Sequence, residues 1–158
     1  MTEEKFQSLS QYSRVASWAI WNENNPDDTS VIEKNIDILH SEVVLVGLNV
    51  SRNIDNDWAN FHDNTHARKL RKLFNRSSYQ GAYMTDLIKD HVAVSSKSLD
   101  NLDLAIIDMN IKAFKDEMTL LGANKSTLFI LFGQPAQQLF IDELVFFFNN
   151  IATCTHYS

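Results

Sequence analysis

Four short apolar runs, rich in β-branched and aromatic side chains, predict the strands of this chain. The first, Val-Val-Leu-Val at 43–46, is continuous rather than alternating, which is typical of a strand buried on both faces of a parallel sheet. Gly47 follows this run, and we expect it to let the backbone turn tightly. The other three runs lie at 81–86, 127–132 and 151–155.

Between these runs, apolar residues recur at the spacing of an amphipathic helix. Gly122 is a typical helix C-cap, and Pro135 suits the first position of a helix. The predicted helices cover 5–21, 31–39, 65–75, 101–121 and 136–148.

Helices that alternate with strands indicate an α/β fold. We expect one three-layer α/β/α domain over 1–158, with a central, mostly parallel four-stranded sheet. The core is formed by 41–158, and the N-terminal helix at 5–21 packs across the sheet.

The composition narrows the class of protein. A chain of 158 residues buries a sizeable core as one domain. The single cysteine, Cys154, cannot form a disulfide or a cysteine-ligated metal site within the chain. We therefore expect a cytoplasmic protein without a metal or other cofactor. No apolar run reaches the length of a membrane span, so no membrane partner is expected, and the oligomeric state stays open.

The charge is unevenly distributed. A formal net charge of -6 disfavours a protein that coats nucleic acid through charge alone. Even so, five of the 14 basic residues fall within 68–76. They form one face of a predicted helix, which is either merely solvated or able to take phosphate.

Polar residues stand where three of the predicted strands end. They are Asn49, Asp86 and His156. Ligands of α/β sheets bind beyond the carboxyl ends of the strands, so we expect these side chains to meet in one crevice. Two simpler interpretations stay open: Asn49 caps a turn, and His156 is a frayed end. The long loop at 50–64 carries Trp58, which we expect to pin it to the core.

The motifs at these positions resemble those of the uracil-DNA glycosylase superfamily. Val-Gly-Leu-Asn-Val-Ser at 46–51 looks like the Gly-Ile-Asn-Pro-Gly motif of the mismatch-specific branch. Ala-Tyr-Met-Thr-Asp-Leu-Ile-Lys at 82–89 looks like the Tyr-Ile-Thr-Asn-Val-Val-Lys segment of the thermostable branch. The segment 60–74 is similar to one in which a phenylalanine stacks on the base. Phe-Gly-Gln-Pro-Ala-Gln at 132–137 resembles Trp-Gly-x-x-Ala-Gln, and Thr-His-Tyr-Ser at 155–158 resembles the start of His-Pro-Ser.

The resemblance implies a DNA-base glycosylase-like hydrolase whose partner is DNA or a nucleotide-like ligand. It would cleave the N-glycosidic bond of uracil or a related base. Asn49 matches the residue that positions the attacking water, and His156 matches the residue that stabilises the leaving base. Phe61 and Asp86 match the residues that contact the base, and we expect Leu48 to contact it as well. We expect phosphate or nucleic-acid contact at Ser51, Arg52, Arg68, Lys69 and Ser158.

This chain departs from the family pattern at the base-reading position. The family's asparagine accepts from N3–H and donates to O4 of uracil, whereas an ionised Asp86 only accepts. Uracil specificity is therefore not implied. Val50 and Tyr157 stand where the family has proline, and Ser51 where its first motif ends in glycine.

Two other functions remain compatible with the sequence. One is a non-catalytic module that keeps the fold to bind a nucleotide or nucleic acid, for which Arg52, Arg68 and Lys69 would matter more than Asn49. The other is a protein-interaction domain that uses the Phe-rich segment at 145–148, although we expect those side chains to belong to the core.

Overall fold

The computed structural model describes residues 1–62, 67–89 and 102–154. Within these ranges, five strands form one mixed sheet in the order β1-β3-β2-β4-β5. Only β1 runs antiparallel to its neighbour. The strands are β1 (Ala16–Trp18), β2 (His40–Asn49), β3 (Ala82–Ile88), β4 (Leu128–Phe132) and β5 (Ile151–Cys154). The predicted α/β class is confirmed, but the sheet has five strands instead of four.

Five α-helices connect or flank these strands in the described residues. They are α1 (Glu3–Ser8), α2 (Ser30–Glu33), α3 (Arg68–Phe74), α4 (Leu104–Leu121) and α5 (Gln134–Leu144). The predicted helix at 31–39 is replaced by α2 and a separate 3-10 turn at Ile36–Ile38. None of the helices in these ranges is long and apolar enough to cross a membrane.

The prediction of one N-terminal helix over 5–21 is wrong. The helix ends at Ser8, and Ala16–Trp18 forms an antiparallel edge strand against β3. All three strand residues are buried, and the Trp18 ring packs edge to face on Tyr83 with 4.8 Å between centroids. A short helix followed by a fully buried strand thus produces an apolar pattern that one longer amphipathic helix would also give.

Side chains that alternate along β2 divide the core between the two faces of the sheet. Val44 and Val46 pack in a cluster with residues of α1, α4 and α5. Val43 and Leu45 belong to a second cluster, which includes Leu70 of α3. Because both faces are covered, the strand needs apolar residues at successive positions, which explains its continuous pattern.

The ends of α4 and α5 follow from local chemistry. The Asp103 side chain accepts from the Ala105 backbone N–H at 3.0 Å and caps α4. Gly122 ends that helix with φ 81°, as the sequence predicts. Helix α5 ends at Leu144, earlier than predicted. Phe148 still packs on Phe129 of the core, with 4.8 Å between ring centroids, but two other phenylalanines after the helix face solvent. Phe146 is 93% exposed and Phe147 54% exposed, so the expectation that both are core residues is wrong.

Candidate functional site

Three residues from separate parts of the chain meet at the carboxyl end of β2. Gly47 pairs with Asp86 across the parallel β2–β3 ladder. A Cβ atom at position 47 would overlap Asp86 Oδ1 and would lie 3.5 Å from Phe61 Cε1. Glycine is therefore required here for space, because it lets the carboxyl lie against the backbone of β2. The prediction of a tight turn at Gly47 is wrong, since β2 continues to Asn49.

Asn60 orients the Asp86 carboxyl. Its Nδ2 donates to Asp86 Oδ2 at 2.9 Å and to the Val15 carbonyl at 2.8 Å. A carbonyl oxygen only accepts, so the bond to Val15 fixes which end of the Asn60 amide faces the carboxyl. Oδ2 of Asp86 consequently receives a hydrogen bond, while Oδ1 lies against Gly47.

This environment favours the neutral form of Asp86. Burial raises the pKa of the carboxyl to about 7, because its charged form loses hydration in the interior. The hydrogen bond from Asn60 and the positive charge of Lys89 lower the pKa of Asp86. The negative charge of Glu117 raises this pKa, as burial does. Near neutral pH, Asp86 therefore populates both a donor-bearing and an acceptor-only form.

The loop that carries Phe61 is anchored to the N-terminal segment through Trp58. The Trp58 backbone N–H donates to the Ser13 carbonyl at 2.6 Å, and Ser17 Oγ donates to the Trp58 carbonyl at 2.6 Å. The Trp58 ring is buried 5.3 Å from the Phe6 ring. The prediction that Trp58 pins the loop to the core is confirmed.

Two further anchors hold the end of this loop. Arg52 donates to the Ala59 carbonyl at 3.1 Å and to the His62 carbonyl at 3.0 Å. Trp21 Nε1 donates to the Phe61 carbonyl at 3.3 Å. These bonds hold Phe61 at φ 63°, a left-handed conformation that is costly for an aromatic residue.

A buried charged network lies on the opposite face of β3. Lys89 Nζ forms an ion pair with Glu117 Oε2 at 2.7 Å, with side-chain exposures of 7% and 0%. Glu117 Oε1 accepts from the Tyr83 hydroxyl at 2.8 Å and from Thr85 Oγ1 at 2.9 Å. Burial and the neighbouring Glu117 charge hold the pKa of Tyr83 well above its usual range. Lys89 Nζ also donates to the Asp86 carbonyl at 2.5 Å, so the network fixes the strand end that carries Asp86.

The other predicted site residues are less closely grouped. By strand alternation Asn49 shares the sheet face of Gly47, and its Nδ2 donates to the Val50 carbonyl at 3.0 Å. Leu48 packs against the core cluster of the opposite face. Ser51 is exposed at the start of the loop, and both Arg68 and Lys69 are exposed on α3.

Two predicted residues, His156 and Ser158, lie outside the described residues. The structure brings Gly47, Phe61 and Asp86 together as buried residues at the ends of β2 and β3. The prediction for the tip of the last strand stays a prediction.

Four polar residues of this region were not singled out from the sequence. They are Asn60, Lys89, Asn110 and Glu117. Asn110 and Glu117 could have been found from the sequence, because they fall on the apolar stripe of α4. Polar residues on a buried stripe need buried hydrogen-bond partners. Asn110 Oδ1 indeed accepts from the Lys89 backbone N–H at 2.8 Å. The Asn60 contact joins positions 26 residues apart and leaves no local pattern.

Within residues 1–62, 67–89 and 102–154, no cluster of three or more His, Cys, Asp or Glu side chains has the arrangement of a metal site. No protein-family model matches the sequence, and comparisons with curated proteins and with solved structures find no similar protein.

Proposed function

We propose that this protein is a uracil-DNA glycosylase-like hydrolase that binds a nucleobase at Gly47, Phe61 and Asp86. The observation that carries the proposal is the convergence of these three residues at the carboxyl ends of two neighbouring parallel strands. Parallel sheets place their ligands at this edge. An aromatic ring beside a buried hydrogen-bonding group is also what recognition of a planar polar base requires.

The reaction is hydrolysis of the bond between the base and the sugar. A water oxygen adds to the anomeric carbon while the glycosidic bond breaks and its electron pair leaves with the base. The base takes up a proton in exchange for the one that the water loses. In this proposal Asn49 positions the water, and His156 stabilises the negative charge that develops on the base.

The proposal requires Phe61 to move. Asp86 is 3% exposed and Phe61 7% exposed, so a base reaches the carboxyl only when the ring leaves Gly47 and stacks on the base instead. Arg52 then serves the site by anchoring the loop on either side of Phe61.

The substrate is expected to be a base within nucleic acid. Arg68 and Lys69 lie in the first turn of α3, the end of this crossover helix that is nearer the carboxyl edge of the sheet. Lys72 adds a third exposed positive charge one turn further along the helix. This basic face supports contact with phosphates on a chain that is acidic overall.

The test is release of a free base from single-stranded oligonucleotides that carry one uracil or one hypoxanthine, measured as abasic sites. We expect wild type to generate abasic sites and Asn49→Ala to do so about a hundredfold more slowly, with binding nearly unchanged. The matched control is Asn53→Ala, an exposed asparagine in the adjoining loop, which should keep the wild-type rate. Equal rates for the two variants would contradict the role of Asn49, and no release from either substrate would contradict hydrolysis.

A second candidate function is a non-catalytic module that binds a nucleotide or nucleic acid. It is favoured by the Asn49 amide, whose Nδ2 donates to the neighbouring Val50 carbonyl in a local contact with the backbone. Tight binding of the same oligonucleotides, without abasic sites, would support this function over hydrolysis.

A further inference from the structure

The two sides of the sheet expose opposite charges. Helix α3 packs on one side through Leu70, whereas α4 and α5 pack on the other side, where Phe140 belongs to the core. The basic face of α3 exposes Arg68, Lys69 and Lys72. The side covered by α4 and α5 carries four acidic residues that are exposed or half-buried, namely Asp108, Asp116, Asp142 and Glu143. The segment 134–150, which includes α5, contains no basic residue.

The acidic residues on the α4–α5 side lack cationic partners. None of the four forms an ion pair within the described residues. Asp142 instead accepts from Gln138 Nε2, at 2.9 Å and 3.0 Å to its two carboxylate oxygens. Lys115 of α4 lies over the Phe147 ring, with 4.0 Å between Nζ and the ring centroid. A phenylalanine on this side therefore already takes a cation on its ring face, as an electron-rich ring allows.

Two exposed phenylalanines lie among these carboxylates. Phe146 is 93% exposed and Phe147 54% exposed just after α5. The backbone is still helical at Val145, with φ -58° and ψ -28°. Phe146 therefore lies beside Asp142 and Glu143, which precede it by four and three residues. An exposed aromatic ring framed by carboxylates suits a partner that presents an apolar side chain among cations.

Helix α3 presents that complementary pattern. Leu73 is 63% exposed, although the other apolar side chains of the helix face the core. Lys69 precedes it by four residues and lies beside it on the helix surface. Lys72 is the neighbouring residue, and it is exposed as well. The chain thus carries on one side of its sheet the apolar and cationic groups that would match Phe146 and its carboxylates on the other side.

We propose that copies of this chain associate head to tail, with α3 of one copy docked on the α4–α5 side of the next. In this contact Leu73 packs on Phe146, and the cations of α3 face Asp142 and Glu143. A contact between two α4–α5 sides would instead set carboxylates against carboxylates. This inference does not depend on the proposed hydrolysis.

The positions of the two surfaces determine the type of assembly. They lie on opposite sides of the sheet, so one rigid copy cannot use both in a single two-fold contact. The contact is therefore heterologous, and it adds further copies unless the assembly closes into a ring. Because opposite charges attract across the contact, salt should weaken it.

Sedimentation velocity of the full chain tests the association. At about 0.05 M NaCl, we expect the weight-average mass of wild type to rise above that of one chain as the concentration increases from about 5 µM to about 500 µM. At about 0.5 M NaCl, the dissociation constant should be at least about fivefold higher.

Two double variants each remove one surface. Asp142→Asn with Phe146→Ser changes the α4–α5 side, and Lys69→Gln with Leu73→Ser changes α3. All four side chains are exposed, so the fold should be retained. Each double variant should associate with its own copies at least about tenfold more weakly than wild type does, because one half of every contact has lost its apolar group and a charge.

A matched control removes the same kinds of side chain elsewhere. Lys34 and Ile38 are an exposed lysine and an exposed apolar residue four positions apart, outside α3, α4 and α5. The double variant Lys34→Gln, Ile38→Ser should associate as wild type does.

A mixture of the two double variants tests the head-to-tail arrangement. The variant with an altered α4–α5 side keeps its α3 surface, and the variant with an altered α3 keeps its α4–α5 side. An equimolar mixture should therefore form a species of two chains, and nothing larger, at concentrations where each variant alone is a single chain.

Three results would overturn the proposal. The first is a wild type that stays a single chain up to about 500 µM, which would leave the two surfaces to other partners. The second is association that neither salt nor the double variants weaken. The third is a mixture in which the weakened variants form no species of two chains, because the contact would then join like surfaces.

Discussion

Burial changes the hydrogen-bonding capacity of the Asp86 carboxyl. In water its carboxyl would be ionised at neutral pH and could only accept hydrogen bonds. Between Gly47, Phe61 and Asn60 it is 3% exposed, and its pKa rises to about 7. The sequence alone suggested an acceptor-only group at this position. The protonated form removes that objection to a base with a carbonyl, because it can donate.

We expect Asp86→Asn to change the pH dependence of stability. The pKa of Asp86 is near 3.8 in the unfolded chain and about 7 in the folded protein. Between these values the folded state binds the extra proton, so the free energy of unfolding falls as the pH rises. The full loss above the folded pKa is up to about 4 kcal/mol. Asparagine has no such proton, so Asp86→Asn should gain stability relative to wild type from about pH 4 to about pH 8.

Urea unfolding of wild type and Asp86→Asn across this pH range measures that gain. The control is Asp108→Asn, which changes an exposed aspartate on α4 and should parallel the wild-type profile. A constant difference between Asp86→Asn and wild type at every pH would contradict the raised pKa of Asp86.

At the scale of secondary-structure elements, β3 is held from both sides. Asp86 faces the loop at 58–62, while Tyr83 and Thr85 donate to Glu117 of α4 on the other face. Lys89 closes this arrangement by pairing with Glu117 and bonding the Asp86 carbonyl. The carboxyl edge of β3 is therefore fixed before any ligand binds, as a pre-organised site requires.

Removing the Lys89 cation while Glu117 stays in place should destabilise the fold. Lys89→Met leaves the Glu117 carboxylate buried without its cation, and we expect a loss of about 3–5 kcal/mol in the free energy of unfolding. The double variant Lys89→Met, Glu117→Gln should recover part of this loss, because the glutamine oxygen still accepts from Tyr83 and Thr85.

The control for this measurement is Lys112→Met, which changes an exposed lysine on α4, the helix that carries Glu117. Its free energy of unfolding should stay within about 0.5 kcal/mol of the wild-type value. Chemical unfolding monitored by tryptophan fluorescence provides the free energies. A loss in Lys89→Met no larger than that in Lys112→Met would show that the pair does not stabilise β3.

The elements also mark where prediction from the sequence succeeds and fails. The strands β2 to β5 were predictable because each is a short apolar run bounded by turn residues. The edge strand β1 was missed because its apolar residues continue the periodicity of α1. Asn49 and Asp86 could be placed at neighbouring strand ends from local pattern alone. The partners that tune Asp86 could not, because the Asn60 and Lys89–Glu117 contacts join distant parts of the chain.

At the scale of the whole molecule, polar groups collect at one edge of the sheet. The residues proposed to bind a base lie at the ends of β2 and β3, and the exposed cations Arg68 and Lys69 begin α3 next to that edge. The remaining surface is acidic on balance, since the chain carries a formal net charge of -6. We therefore expect nucleic acid to approach this edge with its phosphates on α3 and its base turned toward Asp86.

A crystal structure of the protein with a single strand that carries an uncleavable uracil nucleotide tests this account most directly. We predict that the uracil ring stacks on Phe61, that N3 lies within hydrogen-bond distance of Asp86 Oδ2, and that O4 lies within hydrogen-bond distance of Oδ1. The phosphates should lie beside Arg68 and Lys69. A base bound elsewhere, with Phe61 still packed against Gly47 and Asp86 still covered, would contradict the account.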